Sequence, residues 1–192
     1  METIARDCLE YFELVEPMTL IRVVVTGSES TGKTTLAADL ARHYSAELVA
    51  EFVREFAEQK NVPIDFSDHG PITRGQMALE DEHMSRAERL LVQDTDLLST
   101  VVYCRHYFGR CPAWIEAAAL ARRPDLYLTC QLDVPWVVDG VRDRGHMREA
   151  MQEMFQRAVV ASGAPSLDCR GSREERLSRA IEAIDGLLRR AE

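Results

Sequence analysis

The octapeptide Gly27-Ser28-Glu29-Ser30-Thr31-Gly32-Lys33-Thr34 fits G-x-x-x-x-G-K-[ST], the pattern of a phosphate-binding loop. Its flanks supply the setting that the motif needs. Before it, Leu20-Ile21-Arg22-Val23-Val24-Val25 is short, apolar and β-branched, like a strand buried in a parallel sheet. After it, Leu36, Ala37, Leu40, Ala41 and Tyr44 recur at helical spacing. An ordinary glycine turn before a helix is the alternative. Gly27 and Gly32 let the backbone turn sharply and come close to a ligand. The N–H groups from about Ser30 to Thr34 then point inward at a helix start, where the helix dipole favours an anion. Lys33 can bridge the β- and γ-phosphates and the Thr34 hydroxyl can hold Mg²⁺. Gly27 through Thr34, together with Thr35, are the expected contacts of a nucleoside triphosphate, taken as ATP.

The 192 residues suit one domain with a good-sized core, with residues 1–17 as an N-terminal extension and 18–192 as the domain. A net charge of −9 argues against a general binder of nucleic acid or membrane surfaces, which needs a positive face. No apolar run approaches the ~20 residues of a membrane span, and no basic-then-apolar signal opens the chain, so a cytoplasmic location is expected. The five cysteines are spread out with no C-x-x-C, and the five histidines show no H-E-x-x-H. Reduced structural thiols are expected, rather than a zinc site or a disulfide framework. Residues 1–17 are mildly amphipathic and read either as a short helix laid on the domain or as a leader from an upstream start, since Met18 can itself begin a domain.

Alternation continues down the chain. Ala46–Ala50 reads as a second strand, a loop covers 60–72, and a helix covers Thr73 to about Arg89. Leu90-Leu91-Val92 reads as a strand, followed by helices over 97–108 and 112–122. Strands over Leu126–Cys130 and Ser166–Cys169 flank a helix from about Met147 to Ser162, and a last helix runs from about Arg173 to Arg190. Strands alternating with helices predict an α/β three-layer sandwich, a roughly five-stranded parallel sheet with helices on both faces.

Ligands of such sheets sit beyond the carboxyl ends of the strands. Glu51 falls at one such end, and Arg54 lies three residues on, on the same face of a helical turn. A carboxylate there can accept a proton from a hydroxyl nucleophile, and the arginine can hold it or a substrate phosphate. A solvated helix start is the alternative. Asp94 directly follows an apolar run, the position of the carboxylate that orients Mg²⁺. Asp96 reads as a metal or substrate contact, or as the N-cap of the next helix. The segment around 134–148 concentrates arginines in an acidic chain. Arg142 and Arg144 there read as an arginine-bearing lid that stabilises transferring phosphates. A solvated loop with Asp–Arg pairs is the alternative.

A GTPase usually carries N-K-x-D, which is absent. A motor ATPase carries a glutamate beside the metal aspartate, and here that residue is Thr95. Phosphate loop, metal aspartate, base near the second strand and arginine lid together predict a small-molecule kinase, with a nucleotide-dependent switch or ATPase as the competing class.

Ala50-Glu-Phe-Val-Arg-Glu-Phe56, Asp94-Thr-Asp96 and Pro135-Trp-Val-Val-Asp-Gly-Val-Arg142, after the glycine loop, resemble the nicotinamide riboside kinase domain of bacterial NAD-salvage proteins. The likeness spans about residues 21–188. It implies phosphorylation of the riboside 5′-hydroxyl by ATP with Mg²⁺, giving nicotinamide mononucleotide and ADP. Carried over by position, it implies Lys33 and Thr34 on phosphates and metal, and Glu51, Arg54, Asp94 and Asp96 on the substrate and metal side. Arg142 and Arg144 are assigned to the lid. The family stacks the pyridine ring on a tryptophan just before the E-x-x-R glutamate. That residue here is Ala50, with Phe66, Tyr107, Phe108 and Trp136 as aromatic replacements. The adenylyltransferase and DNA-binding domains of some family members are not expected in a single domain of this length.

Overall fold

The computed structural model describes residues 19–134 and 147–191. Among them, β1 (Ile21–Thr26), β2 (Glu47–Val49), β3 (Leu90–Asp94), β4 (Leu126–Cys130) and β5 (Ser166–Cys169) form one parallel sheet in the order β2-β3-β1-β4-β5. The helices are α1 (Lys33–Tyr44), α2 (Phe52–Lys60), α3 (His69–Met84), α4 (Leu97–Phe108), α5 (Ala113–Ala121), α6 (Arg148–Ser162) and α7 (Arg173–Arg190). No helix among the described residues is long and apolar enough to cross a membrane.

β1 is central because both of its faces are apolar. Val23 and Val25 point into a cluster with Leu36 and Leu40 of α1 and Ala180 and Ile184 of α7. Val24 points the other way, onto Leu98 of α4, Tyr127 of β4 and Val159 of α6. That is the period of two of a strand, with helices covering both sides. Each fully buried Leu or Ile contributes about 1.5–3 kcal/mol relative to exposure, so the two faces together hold the sheet between its helices.

The structure corrects the limits of one helix. Expected over 73–89, α3 begins at His69 and ends at Met84. Gly70 and Pro71 fall in its first turn, where a proline costs no hydrogen bond. A one-turn 3₁₀ helix over Phe66–Asp68, capped by Asp65, leads directly into it. At the far end the Ser85 hydroxyl donates to the Glu82 carbonyl, and the chain turns toward β3.

α3 also brings a charged side chain into the interior. Glu80 is fully buried, 3.2 Å from Arg122 Nη1 and 3.9 Å from Arg22 Nη2. Burial pushes its carboxyl up to about 7; the nearby Asp96 charge adds to this, and the two arginines oppose it. A raised folded pKa means that the folded protein holds this proton more tightly than the unfolded chain does. The stabilisation is therefore fully present below the ordinary value of 4.5 and is lost as pH rises through about 7. Thermal melts from pH 5 to pH 8 should show the wild type losing stability relative to Glu80→Gln, by an amount on the order of 2–3 kcal/mol. Identical pH profiles for the two proteins would remove Glu80 as the cause.

Candidate active site

Parallel strands bring their carboxyl ends to one edge of the sheet. β1 leads to β2 on one side, while β3 connects across β1 to β4, so the crevice opens between β1 and β3. The phosphate loop leaves β1 at that point. Gly27 has φ 132°, and a Cβ there would lie 2.6 Å from the Cys130 carbonyl oxygen, so only glycine fits. Gly32 (φ 84°) is the N-cap of α1, which starts at Lys33.

The loop carbonyls are held by donors within and outside the motif. The Ser28 carbonyl accepts from the Thr31 hydroxyl at 2.9 Å and from Lys33 Nζ at 2.8 Å. The Ser30 carbonyl accepts from Arg148 Nη2 at 3.1 Å, and the Thr31 carbonyl from Arg176 Nη1 at 2.6 Å. The Ser28 N–H donates to Gln152 Oε1 at 2.9 Å. The motif contains none of Arg148, Gln152 or Arg176. Arg148 closes the arginine-rich segment 134–148, whereas the trace of the other two in the sequence is polarity on a core-facing stripe: Gln152 beside Met151 and Phe155, Arg176 four and eight residues before Ala180 and Ile184.

On the other side of the crevice the Thr34 hydroxyl donates to Asp94 Oδ2 at 2.6 Å. Asp94 Oδ1 is buried with no hydrogen-bond partner. Burial raises the Asp94 pKa, the Thr34 hydrogen bond opposes the shift, and the Glu51 charge adds to it. An orphaned carboxylate oxygen beside a threonine hydroxyl suits a hard cation that takes oxygen ligands, so these two residues fit Mg²⁺. Glu51 is the N-cap of α2 and only 8% exposed; its Oε2 accepts from Arg54 Nε at 2.7 Å. Arg54 Nη2 in turn lies 3.4 Å from the Thr34 hydroxyl. Glu51, Arg54, Thr34 and Asp94 thus form one chain of contacts across the crevice. Gln76 of α3 fixes the corner before α2, accepting from the Phe52 N–H at 2.9 Å and donating to the Ala50 carbonyl at 3.4 Å.

Asp96 has both oxygens engaged. Oδ1 accepts from the Leu98 N–H at 3.1 Å as the N-cap of α4, and Oδ2 accepts from the Tyr127 hydroxyl at 2.6 Å. Burial pushes its carboxyl up to about 6. Between the two aspartates Thr95 has φ 71°, rare for a β-branched residue and costing about 1–3 kcal/mol. Its N–H donates to the Val25 carbonyl at 3.0 Å, which pins the corner beside β1. Arg142 and Arg144, like Trp136, lie outside the described residues.

Two aromatic groups stand nearby. Phe66 and Phe108 meet edge-on at 5.7 Å, with the Arg110 guanidinium 4.3 Å above Phe66. Tyr107 stacks on Tyr103 at 6.2 Å and, with Ser28, Glu29 and Arg148, lines a cleft beside the phosphate loop.

A family model described as an AAA domain matches residues 22–176, from β1 through the start of α7. The chain belongs to this AAA domain family. The AAA domain is 29% identical over 150 residues to the trifunctional NAD biosynthesis/regulator protein NadR of Escherichia coli K12, covering 76% of the chain and 36% of that protein. It is similar to a crystal structure of NadR in complex with NAD and AMP-PNP, at 25% identity and a TM-score of 0.74 over 86% of the chain. A NadR structure in complex with NR superposes with a TM-score of 0.73 at 24% identity, again over 86% of the chain. The chain spans about a third of the curated relative and 48% of each solved NadR chain.

Proposed function

We propose that residues 18–192 form a cytoplasmic kinase domain that phosphorylates the 5′-hydroxyl of nicotinamide riboside with ATP, giving nicotinamide mononucleotide and ADP. One observation carries the reading: the phosphate loop and an acidic acceptor side meet through Thr34, which touches both Asp94 and Arg54. In this mechanism the loop N–H groups and Lys33 bind the β- and γ-phosphates. Glu51 takes the proton of the acceptor hydroxyl as its oxygen bonds to the γ-phosphorus and the bond to the β-phosphate oxygen breaks, leaving ADP. Arg54 holds the Glu51 carboxylate by its Oε2 and aims it at the hydroxyl. Asp94 and Thr34 would hold Mg²⁺, which neutralises charge on the transferring phosphate. Arg142 and Arg144 belong to the arginine lid in this reading, and Asp96 holds the floor of the acceptor side through α4. The ligands of the NadR structures, NR in one and NAD with AMP-PNP in the other, support this substrate class.

Ala50 favours a second reading, in which the acceptor is another nucleoside, because the tryptophan that stacks the pyridine in the family is replaced there. Tyr107, beside Ser28 and Glu29, offers an aromatic face in its place. Incubation with ATP, Mg²⁺ and a nucleoside panel discriminates between them. The expected result is phosphorylation of nicotinamide riboside above all others. A preference for a different nucleoside would replace the substrate, and ATP hydrolysis with no phosphorylated acceptor would replace the kinase with an ATPase.

A further inference from the structure

The phosphate loop is braced from outside by side chains that lie far from it in the chain. Gln152 is 4% exposed and uses both ends of its amide. Oε1 accepts the Ser28 N–H at 2.9 Å, and Nε2 donates to the Cys130 carbonyl at 3.1 Å. That carbonyl is the one that excludes a Cβ at Gly27. The first turn of the loop is therefore pinned to the end of β4 by contact on one side and by Gln152 on the other. Arg176, also 4% exposed, spreads its guanidinium over three connections. Nη1 donates to the Thr31 carbonyl at 2.6 Å, Nη2 to the Gln131 carbonyl at 3.2 Å and to Asp133, and Nε to the Gly171 carbonyl at 3.0 Å. The loops after β1, β4 and β5 converge on this one planar fork, a geometry that the single nitrogen of a lysine cannot copy.

A phosphate nest works only if successive N–H groups face inward, which forces the intervening carbonyls outward. A carbonyl turned into a dry interior needs a donor. Arg176 is that donor for Thr31. Its buried charge also sits 3.6 Å from where a Cβ on Gly32 would be, directly behind the site of the phosphates.

We propose that Gln152 and Arg176 are positioning residues that set the phosphate loop in its nucleotide-binding form before the nucleotide arrives. This rests on the nucleotide-binding half of the reading above and not on the identity of the acceptor. A loop already held in place does not spend binding energy on ordering, so the brace appears in ATP affinity.

The test is calorimetric binding of a non-hydrolysable ATP analogue with Mg²⁺, together with the melting temperature of each unliganded variant. Gln152→Met keeps length and volume and deletes the hydrogen bonds to Ser28 and Cys130, along with a longer one to Gln131 Oε1 at 3.4 Å. It is expected to weaken analogue binding roughly tenfold or more, as an unpaired buried group does, with the KM of the acceptor nucleoside unchanged. Arg176→Lys keeps the charge but loses the fork, and is expected to weaken the analogue by about tenfold. A folded Gln152→Met protein with wild-type affinity, or one in which only the melting temperature falls, overturns the proposal. If Gln152→Met does not fold, Arg176→Lys decides by the same measure, and wild-type affinity there overturns it. Normal analogue binding by the wild type without any phosphorylated nucleoside would sink the kinase reading and leave the brace standing.

Discussion

Replacing Lys33 with Ala is expected to lower phosphoryl transfer at least about a thousandfold, below detection in an ordinary coupled assay. Lys33 is the first residue of α1, and its side chain reaches back across the loop, with Nζ 2.8 Å from the Ser28 carbonyl. An ammonium carries three donors in a freely rotating group, so it can keep this contact while meeting the β- and γ-phosphates. The side chain is 5% exposed, so its charge acts where water screens little. As the γ-phosphoryl group leaves, charge grows on the β–γ bridge, and no other side chain of the loop is cationic. Alanine preserves the helix start, so the melting temperature of the unliganded protein should stay within a few degrees. A Lys33→Ala enzyme that keeps a tenth of wild-type kcat/KM would show that the charge is supplied from elsewhere.

The second result concerns the acceptor side. Glu51→Gln is expected to lower kcat by about 10²–10⁴ while the KM for ATP changes less than threefold. Glutamine has the same shape, keeps the N-cap position of α2 and still accepts from Arg54 Nε, but it takes no proton at neutral pH. The loss should therefore fall on turnover, not on folding or nucleotide binding. Equal measurements on Asp94→Asn and Asp96→Asn complete the test. A fall confined to turnover in either of these, with Glu51→Gln near wild type, would move the base to that aspartate.

Much of this was legible in the chain. β1, the glycine loop and α1 announce themselves through local chemistry: a β-branched run, glycines where φ must be positive, then apolar residues at helical spacing. β4 reads as a short apolar run, as a strand buried on both faces does, and α7 shows apolar residues at helical spacing; β5, mostly exposed, is a weaker signal. α3 was misplaced by four residues at its start because Gly70 and Pro71, read in isolation, are loop residues. The 3₁₀ turn capped by Asp65 turns them into the first turn of a helix. Asp96 kept two readings in the sequence. Its N-cap bond to Leu98 is local and was foreseeable; its partner Tyr127, 31 residues away, was not.

By itself, then, the sequence settled what depends on neighbours along the chain: that a loop built for phosphates sits between a buried strand and a helix, in an alternating α/β domain. The tertiary structure alone decided what depends on the strand order. Placing β3 beside β1 brings Asp94 within 2.6 Å of Thr34, 60 residues earlier. Placing β4 on the other side lets Gln152 and Arg176 reach the loop across 124 and 145 residues. Periodicity reports which face of an element is buried, not which element covers it. The partners that hold a catalytic loop in shape are therefore written in the packing, and in the sequence they show only as a polar residue on an apolar stripe.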